Sequence, residues 1–191
     1  MYLNHQSIEG YQIERMEWLI LALLRQARIE AGAVIFEKTA CDMQQTLKSA
    51  VMAVKHLTEP KNQKVKIELS AKEEGPMLLQ CDGPWLIEAL VNLLKNASDY
   101  TEEGTDILLE AEQNDLFTRI SVTDYGQGIS EEDMAHIFER FYRVDKGRSR
   151  KLGGTGLGLA IVKNIAVQYG GTATAEMTPG GGLTVSIVIA S

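Results

Sequence analysis

The chain has 191 residues, 45% of them hydrophobic, a formal net charge of −7 and two cysteines. That length and composition suit one well-buried domain plus an extra element, and Cys41 and Cys81, with neither a CxxC nor a zinc spacing, read as reduced core-filling thiols. The acidic balance argues against nonspecific binding to nucleic acid or anionic lipid, and the apolar run Trp18 to Leu24 is far shorter than the roughly 18 residues of a membrane span.

From about Ser7 to Ala31, Ile13, Met16, Ile20, Leu23 and Ala27 recur at steps of three and four, the seam of a coiled coil or bundle. Trp18, Leu19 and Leu21 add a second apolar side, so the helix needs a helical partner. A dimer contact is expected here; a helix folded back on its own domain is the alternative. Gly32 ends this helix, Val34 to Phe36 read as a short strand, and Asp42 caps a helix running to about Leu57. After a turn at Pro60, strands are expected at Val65 to Leu69 and Met77 to Gln80. A helix then opens after Asp82 and Gly83, with Pro84 in its first turn. Strands at Ile107 to Glu112 and Thr118 to Thr123 precede a short helix capped by Ser130 and a glycine-rich basic loop. A helix from Leu157 to Tyr169 and strands at Thr172 to Met177 and Leu183 to Ile189 complete the chain. This order predicts an α/β sandwich, a mixed sheet with helices on one face.

Four segments carry chemistry. In the stretch that leads into and includes LVNLLKNASDYT, Leu86, Leu90, Leu93, Leu94 and Ala97 make the apolar face of a helix, while Glu88, Asn92, Asn96 and Asp99 share one polar stripe. Asparagine is a poor helix former and costly to bury unpaired, so two on one stripe point to a ligand that satisfies them. DYGQGI runs from Asp124 to Ile129, FERFYR from Phe138 to Arg143, and GGTGLGLAIVK from Gly153 to Lys163. Between Arg140 and Lys151, six cations (Arg140, Arg143, Lys146, Arg148, Arg150 and Lys151) stand against one acid, Asp145, a concentration suited to phosphate. In this order and spacing the segments resemble the N, G1, F and G2 boxes of the GHKL superfamily of ATP-binding domains, and within it a bacterial sensor histidine kinase. The resemblance covers about residues 8 to 191.

It implies the Bergerat fold for residues 33–191, the ATP-binding catalytic domain. Residues 1–32, whose RMEWLILALLRQARIEAG resembles the second helix of the dimerisation domain, would be part of a phosphotransfer helical hairpin. Asn96 is expected to offer its carbonyl oxygen to Mg²⁺, with Asn92 reaching the phosphates or the metal's water shell and Tyr100 the sugar or phosphate. Relatives often have lysine where Asp99 stands, which leaves Asp99 without a role. Asp124, an acceptor only when ionised, would take the exocyclic amine of adenine and reject guanine, and Gly126 and Gly128 would let the backbone approach the base. Thr155, Gly156, Leu157 and Gly158 open a helix whose N–H groups can cradle phosphate, with Gly154 turning the chain. The stretch from Ile129 to Gly154 resembles the ATP lid, anchored by Phe138 and Phe141, with Tyr142 flanking the nucleotide. Arg143 is expected to clamp the triphosphate and Arg140 to bridge neighbouring acids.

Gyrase-like and Hsp90-like members carry a glutamate where Asn92 stands, to deprotonate water. Asparagine cannot, which favours transfer to a neutral histidine over hydrolysis. His5, His56 and His136 lack the HELRTP-like setting of the phosphorylated helix, so the acceptor is expected outside this stretch. The resemblance implies ATP and Mg²⁺ as cofactors, with a response-regulator receiver domain and a second copy as partners. It also implies a cytoplasmic location, with any membrane link through a missing upstream sensor region. Two other readings stay open: a GHKL ATPase using Glu88 as base, and a serine-kinase or anti-sigma-type switch module.

Overall fold

The computed structural model describes residues 20, 23, 24, 27–29, 31–72, 75–144 and 155–190. Most of the expected N-terminal helix therefore lies outside the described residues, as does the basic loop from 145 to 154, which includes Gly154. The chain divides into two compact units, Met1–Ile35 and Phe36–Ser191. In the first, residues 27–29 are helical and Gly32, at φ 65°, returns its N–H to the Ile29 carbonyl at 3.0 Å. That left-handed closure is the reason a glycine ends the helix.

The second unit begins with β1 (Thr39–Asp42), α1 (Met43–Thr58) and a 3₁₀ turn at Glu59–Lys61, followed by β2 (Val65–Ala71) and β3 (Leu78–Cys81). Then come α2 (Gly83–Tyr100), β4 (Ile107–Gln113), β5 (Phe117–Thr123), α3 (Glu131–His136), α4 (Gly158–Gln168), β6 (Thr172–Met177) and β7 (Leu183–Ala190). A five-stranded sheet has the order β2-β4-β5-β7-β6, and β1 with β3 forms a separate antiparallel ribbon. Only the β2–β4 pair is parallel, because the chain between them returns through β3 and α2; the other neighbours are antiparallel.

One face of the sheet buries Ile107, Leu109, Ala111, Ile120, Val122, Val185, Ile187 and Ile189 against the helices. Onto it α2 packs between α1 and α4, its Leu86, Leu90, Leu93, Leu94 and Ala97 all buried as their spacing predicts. The opposite face is polar, with hydroxyl pairs Ser121–Ser186 and Thr123–Thr184 at 3.0 Å bridging β5 and β7. An antiparallel sheet covered on one side alternates in this way. Among the described residues, no helix is long and apolar enough to cross a membrane.

The first strand lies at Thr39–Asp42 rather than Val34 to Phe36. Phe36 is used instead as an aromatic plug, its ring 5.4 Å from Trp85 at the start of α2 and 5.7 Å from Tyr169 at the end of α4. Asp82 ties the same corner together. Its carboxylate accepts the N–H groups of Glu37 at 3.0 Å and Trp85 at 3.4 Å, and its carbonyl accepts the buried Tyr169 hydroxyl at 2.7 Å. Tyr169→Phe removes one of the two donors to that carbonyl, the Leu86 N–H at 3.0 Å remaining, and is expected to cost about 1–1.5 kcal/mol. In thermal melts this is a fall of about 3–6 °C, and a fall under about 1 °C would remove the role. Nearby, both cysteines are free thiols, and burial pushes the Cys81 thiol well above its ordinary range.

Candidate functional site

Helix α2 is the ruler of the site. Asp82 caps it by accepting from Trp85 N–H, and the proline in its first turn fits where no donor is required. Its apolar face fixes the rotation, so Glu88, Asn92, Asn96 and Asp99 all come out half-buried, neither in the core nor open to water. The Asn92 amide donates to the Glu88 carbonyl at 2.9 Å, and its carbonyl oxygen lies 3.1 Å from where a Cβ on Gly158 would sit. One end of the stripe thus meets the first residue of α4. At the other end, the Tyr100 carbonyl lies 2.4 Å from where a Cβ on Gly126 would sit, so only glycine lets that turn approach. Asp99 forms an ion pair with Lys61 at 3.1 Å.

Asp124 follows β5 and is 8% exposed. Its Oδ1 accepts two backbone N–H groups, from Gly126 at 2.9 Å and Leu183 at 3.2 Å. Burial raises its pKa above the ordinary carboxylate value, with those two hydrogen bonds pulling the other way. Neither N–H uses Oδ2. A support not singled out in the sequence is the β6–β7 turn, where Gly180, Gly181 and Gly182 all have positive φ. A Cβ on Gly182 would fall 2.1 Å from the Asp124 carbonyl oxygen, so this turn is the floor beneath Asp124. The run of three glycines between two expected strands was the available signal.

Ser130 caps α3, and Asp133 accepts from the Ser130 hydroxyl at 2.6 Å and the Tyr142 hydroxyl at 2.7 Å, which hold its carboxyl below the ordinary range. Tyr142 also has its ring 5.4 Å from that of His136, whose pKa is raised by Glu139 at 2.7 Å. Phe141 does not pack into the core as expected of a lid anchor; it is 55% exposed, with φ at 63°. Its backbone anchors instead, donating N–H to the Gly156 carbonyl at 2.9 Å, while Ile137 supplies the buried apolar contact. Gly156, at φ 72°, sits where a Cβ would come 2.7 Å from the Phe141 backbone. Arg143 is half-buried. Thr155 Oγ1 accepts Leu157 N–H at 3.4 Å just before α4 begins, and Leu157 is buried. Of the residues expected at the site, Gly154 alone lies outside the described residues; the rest fall on α2, the two turns after β5 and before α4, and the segment joining them.

Comparison with known proteins identifies the family. Residues 81–191 match the family described as histidine kinase-, DNA gyrase B-, and HSP90-like ATPase. The sensor-like histidine kinase SenX3 of Mycolicibacterium smegmatis is 35% identical over 175 residues, covering 92% of this chain and 44% of that protein. The sensor histidine kinase WalK of Bacillus subtilis is 31% identical over 93% of this chain and 29% of its own. This chain therefore spans less than half the length of these relatives. Among solved structures, the mycobacterial sensor histidine kinase MprB shares the fold, with a TM-score of 0.67 at 23% identity over 82% of this chain and 97% of that one. Four motifs in order, a three-helix layer on a mixed sheet and relatives along nine-tenths of the chain converge: it belongs to the histidine kinase-, DNA gyrase B- and HSP90-like ATPase family and carries the ATP-binding catalytic domain of a sensor histidine kinase.

Proposed function

We propose that Mg-ATP binds where α2, the Asp124 turn and the start of α4 converge, and that its γ-phosphoryl passes to a histidine on a separate helix for relay to a response-regulator receiver domain. The supporting observation is the double closeness of α2. Asn92 lies against Gly158, and the Tyr100 carbonyl against Gly126, so one polar stripe joins the phosphate-type helix start to the base-type turn. Asp124 would take the adenine amine on Oδ2, Tyr100 the sugar end, and Asn92 and Arg143 the phosphates, with the backbone N–H groups from Thr155 to Gly158 at the positive end of α4. Tyr142, held by Asp133, would close the side of the base.

In the transfer, a lone pair on the neutral imidazole forms the P–N bond as the bond from the γ-phosphorus to the bridging oxygen breaks, leaving ADP. The nucleophile needs no base at position 92, and asparagine there provides none. Among the described residues, no group of three His, Cys, Asp or Glu side chains holds a metal by itself. That fits a cation carried by the phosphates, with Asn96 as its protein ligand. When bound, Mg²⁺ neutralises phosphate charge. The N-terminal helix would pair with a second copy, and a longer parent protein would link this cytoplasmic part to a membrane sensor.

Calorimetric titration tests the site. Mg-ATP should bind and Mg-GTP should not, and Asn96→Ala should weaken Mg-ATP at least about tenfold while changing metal-free ATP binding less than threefold. With γ-labelled ATP, the chain alone should acquire no acid-labile phosphate, and a supplied acceptor helix should become labelled. Label on the chain itself would contradict the acceptor assignment.

A further inference from the structure

Asp99 sets a problem that the structure answers. It shares the stripe of Asn92 and Asn96, so it brings a negative charge to a site proposed for a polyphosphate. Its partner comes from outside every nucleotide-binding motif. The 3₁₀ turn ends at Asn62 in the left-handed region, φ 51°, which aims Lys61 and Gln63 at the end of α2. Lys61 Nζ donates to Asp99 Oδ1 at 3.1 Å, the Ser98 carbonyl at 2.8 Å and Ser98 Oγ at 3.2 Å. Gln63 is 4% exposed and fully used: Nε2 donates to the carbonyls of Ser98, Thr101 and Glu102 at 3.1–3.3 Å, and Oε1 accepts the Ser98 hydroxyl at 2.7 Å.

These two side chains collect the carbonyls that a helix C-terminus leaves open, and they do so one residue from Tyr100, whose own carbonyl meets the Asp124 turn. Gln63 satisfies the helix end without charge. Lys61 adds a cation within reach of Asp99, at a partly buried position where screening by solvent is incomplete, the two side chains being 28% and 19% exposed.

We infer that Lys61 is a charge-compensating positioning residue of the nucleotide site: it holds Asp99 and cancels its charge, so that an acid at this place on the stripe does not repel the triphosphate. This rests on the nucleotide site proposed above. It differs from a purely structural role for Lys61 in one measurable respect, since the effect of removing it must depend on the charge at 99 and on the charge of the ligand.

The test is titration of the 191-residue chain with Mg-ATP and with adenosine, for wild type, Lys61→Met, Asp99→Asn and the double variant. Lys61→Met should weaken Mg-ATP about five- to tenfold, change adenosine less than twofold, and lose most of its effect at 0.5 M salt. In the double variant, where both charges are gone, Mg-ATP affinity should return to within twofold of wild type. Equal weakening of adenosine, a double variant as weak as Lys61→Met, or an unaffected Lys61→Met would each overturn the inference. If Lys61→Met does not fold, Asp99→Asn decides: it leaves Lys61 as an unopposed cation, so Mg-ATP affinity should rise about five- to tenfold at low salt while adenosine changes less than twofold, and an unchanged or weakened Mg-ATP affinity overturns the inference. Wild-type protein that takes up no Mg-ATP overturns the nucleotide reading and this inference with it.

Discussion

Asp124→Asn is expected to weaken Mg-ATP binding by at least about 100-fold, near 2.7 kcal/mol, while leaving the nucleotide-free protein folded and its melting temperature unchanged or slightly raised. The asparagine carbonyl can still accept the Gly126 and Leu183 N–H groups that now converge on Oδ1. Its amide nitrogen, however, would stand in place of Oδ2 and set donor against donor at the adenine amine. Losing a charge-assisted bond and leaving donors unmet each costs on the order of 1–3 kcal/mol, which together account for the factor. The apo protein is spared because ionised Asp124 is penalised by its own burial. Guanine offers a carbonyl at this place, so the preference for ATP over GTP should collapse in the variant. Calorimetry with both nucleotides, beside a thermal melt, checks this; binding of ATP within threefold of wild type would end the assignment.

The raised pKa of Asp124 also fixes a pH dependence. A carboxyl whose folded pKa lies above its unfolded value contributes stability that is fully present below the unfolded pKa and is lost as pH rises through the folded one. The nucleotide-free fold therefore gains from Asp124 on the acid side, where ATP binding suffers, because the adenine amine needs the ionised acceptor. Affinity for ATP should begin to fall on acidification above the ordinary carboxylate range, and Asp124→Asn should lack that limb.

Much of this was legible because several signals coincide on α2. Its cap, its first-turn proline, its apolar spacing and its amide stripe all specify one rotation, and the structure has that rotation. The strand at Thr39–Asp42 was not legible, because Val34, Ile35 and Phe36 have the stronger β propensity while the actual strand is polar and is selected by pairing with β3. Phe36 is spent on Trp85 and Tyr169, contacts between residues far apart in sequence that no local pattern records. The same limit hid Lys61 and Gln63: both look like ordinary turn residues until the fold brings them to the end of α2. Phe141 misled for a different reason. Its apolar character promised burial, but a left-handed backbone at φ 63° turns it outward and gives the anchoring to its N–H.

Gly182→Ala should be among the most damaging single-methyl changes in this domain, and Gly180→Ala, two residues away in the same turn, should be mild. Both glycines have positive φ, 102° and 91°, so both variants carry backbone strain of about 1 kcal/mol. They differ in what the methyl meets. At Gly180 nothing lies within 4 Å; at Gly182 the new carbon would be 2.1 Å from the Asp124 carbonyl oxygen, 2.7 Å from its carbon and 2.8 Å from Tyr125 Cα. All three are backbone atoms, so no rotamer change relieves the overlap and β7 must withdraw from the end of β5. That withdrawal breaks the bonds from Asp124 N–H to the Leu183 carbonyl at 2.9 Å and from Leu183 N–H to Asp124 Oδ1 at 3.2 Å. Two lost hydrogen bonds added to the strain give about 3–5 kcal/mol, a fall of about 8–15 °C in melting temperature, against about 2–4 °C for Gly180→Ala. Nucleotide affinity separates the two further, because only Gly182→Ala releases one of the two donors that orient Asp124. A loss of more than about tenfold is expected there, with Gly180→Ala within threefold of wild type. Equal effects from the two glycines would mean that the conformation of the turn, rather than its contact with Asp124, is what the site requires.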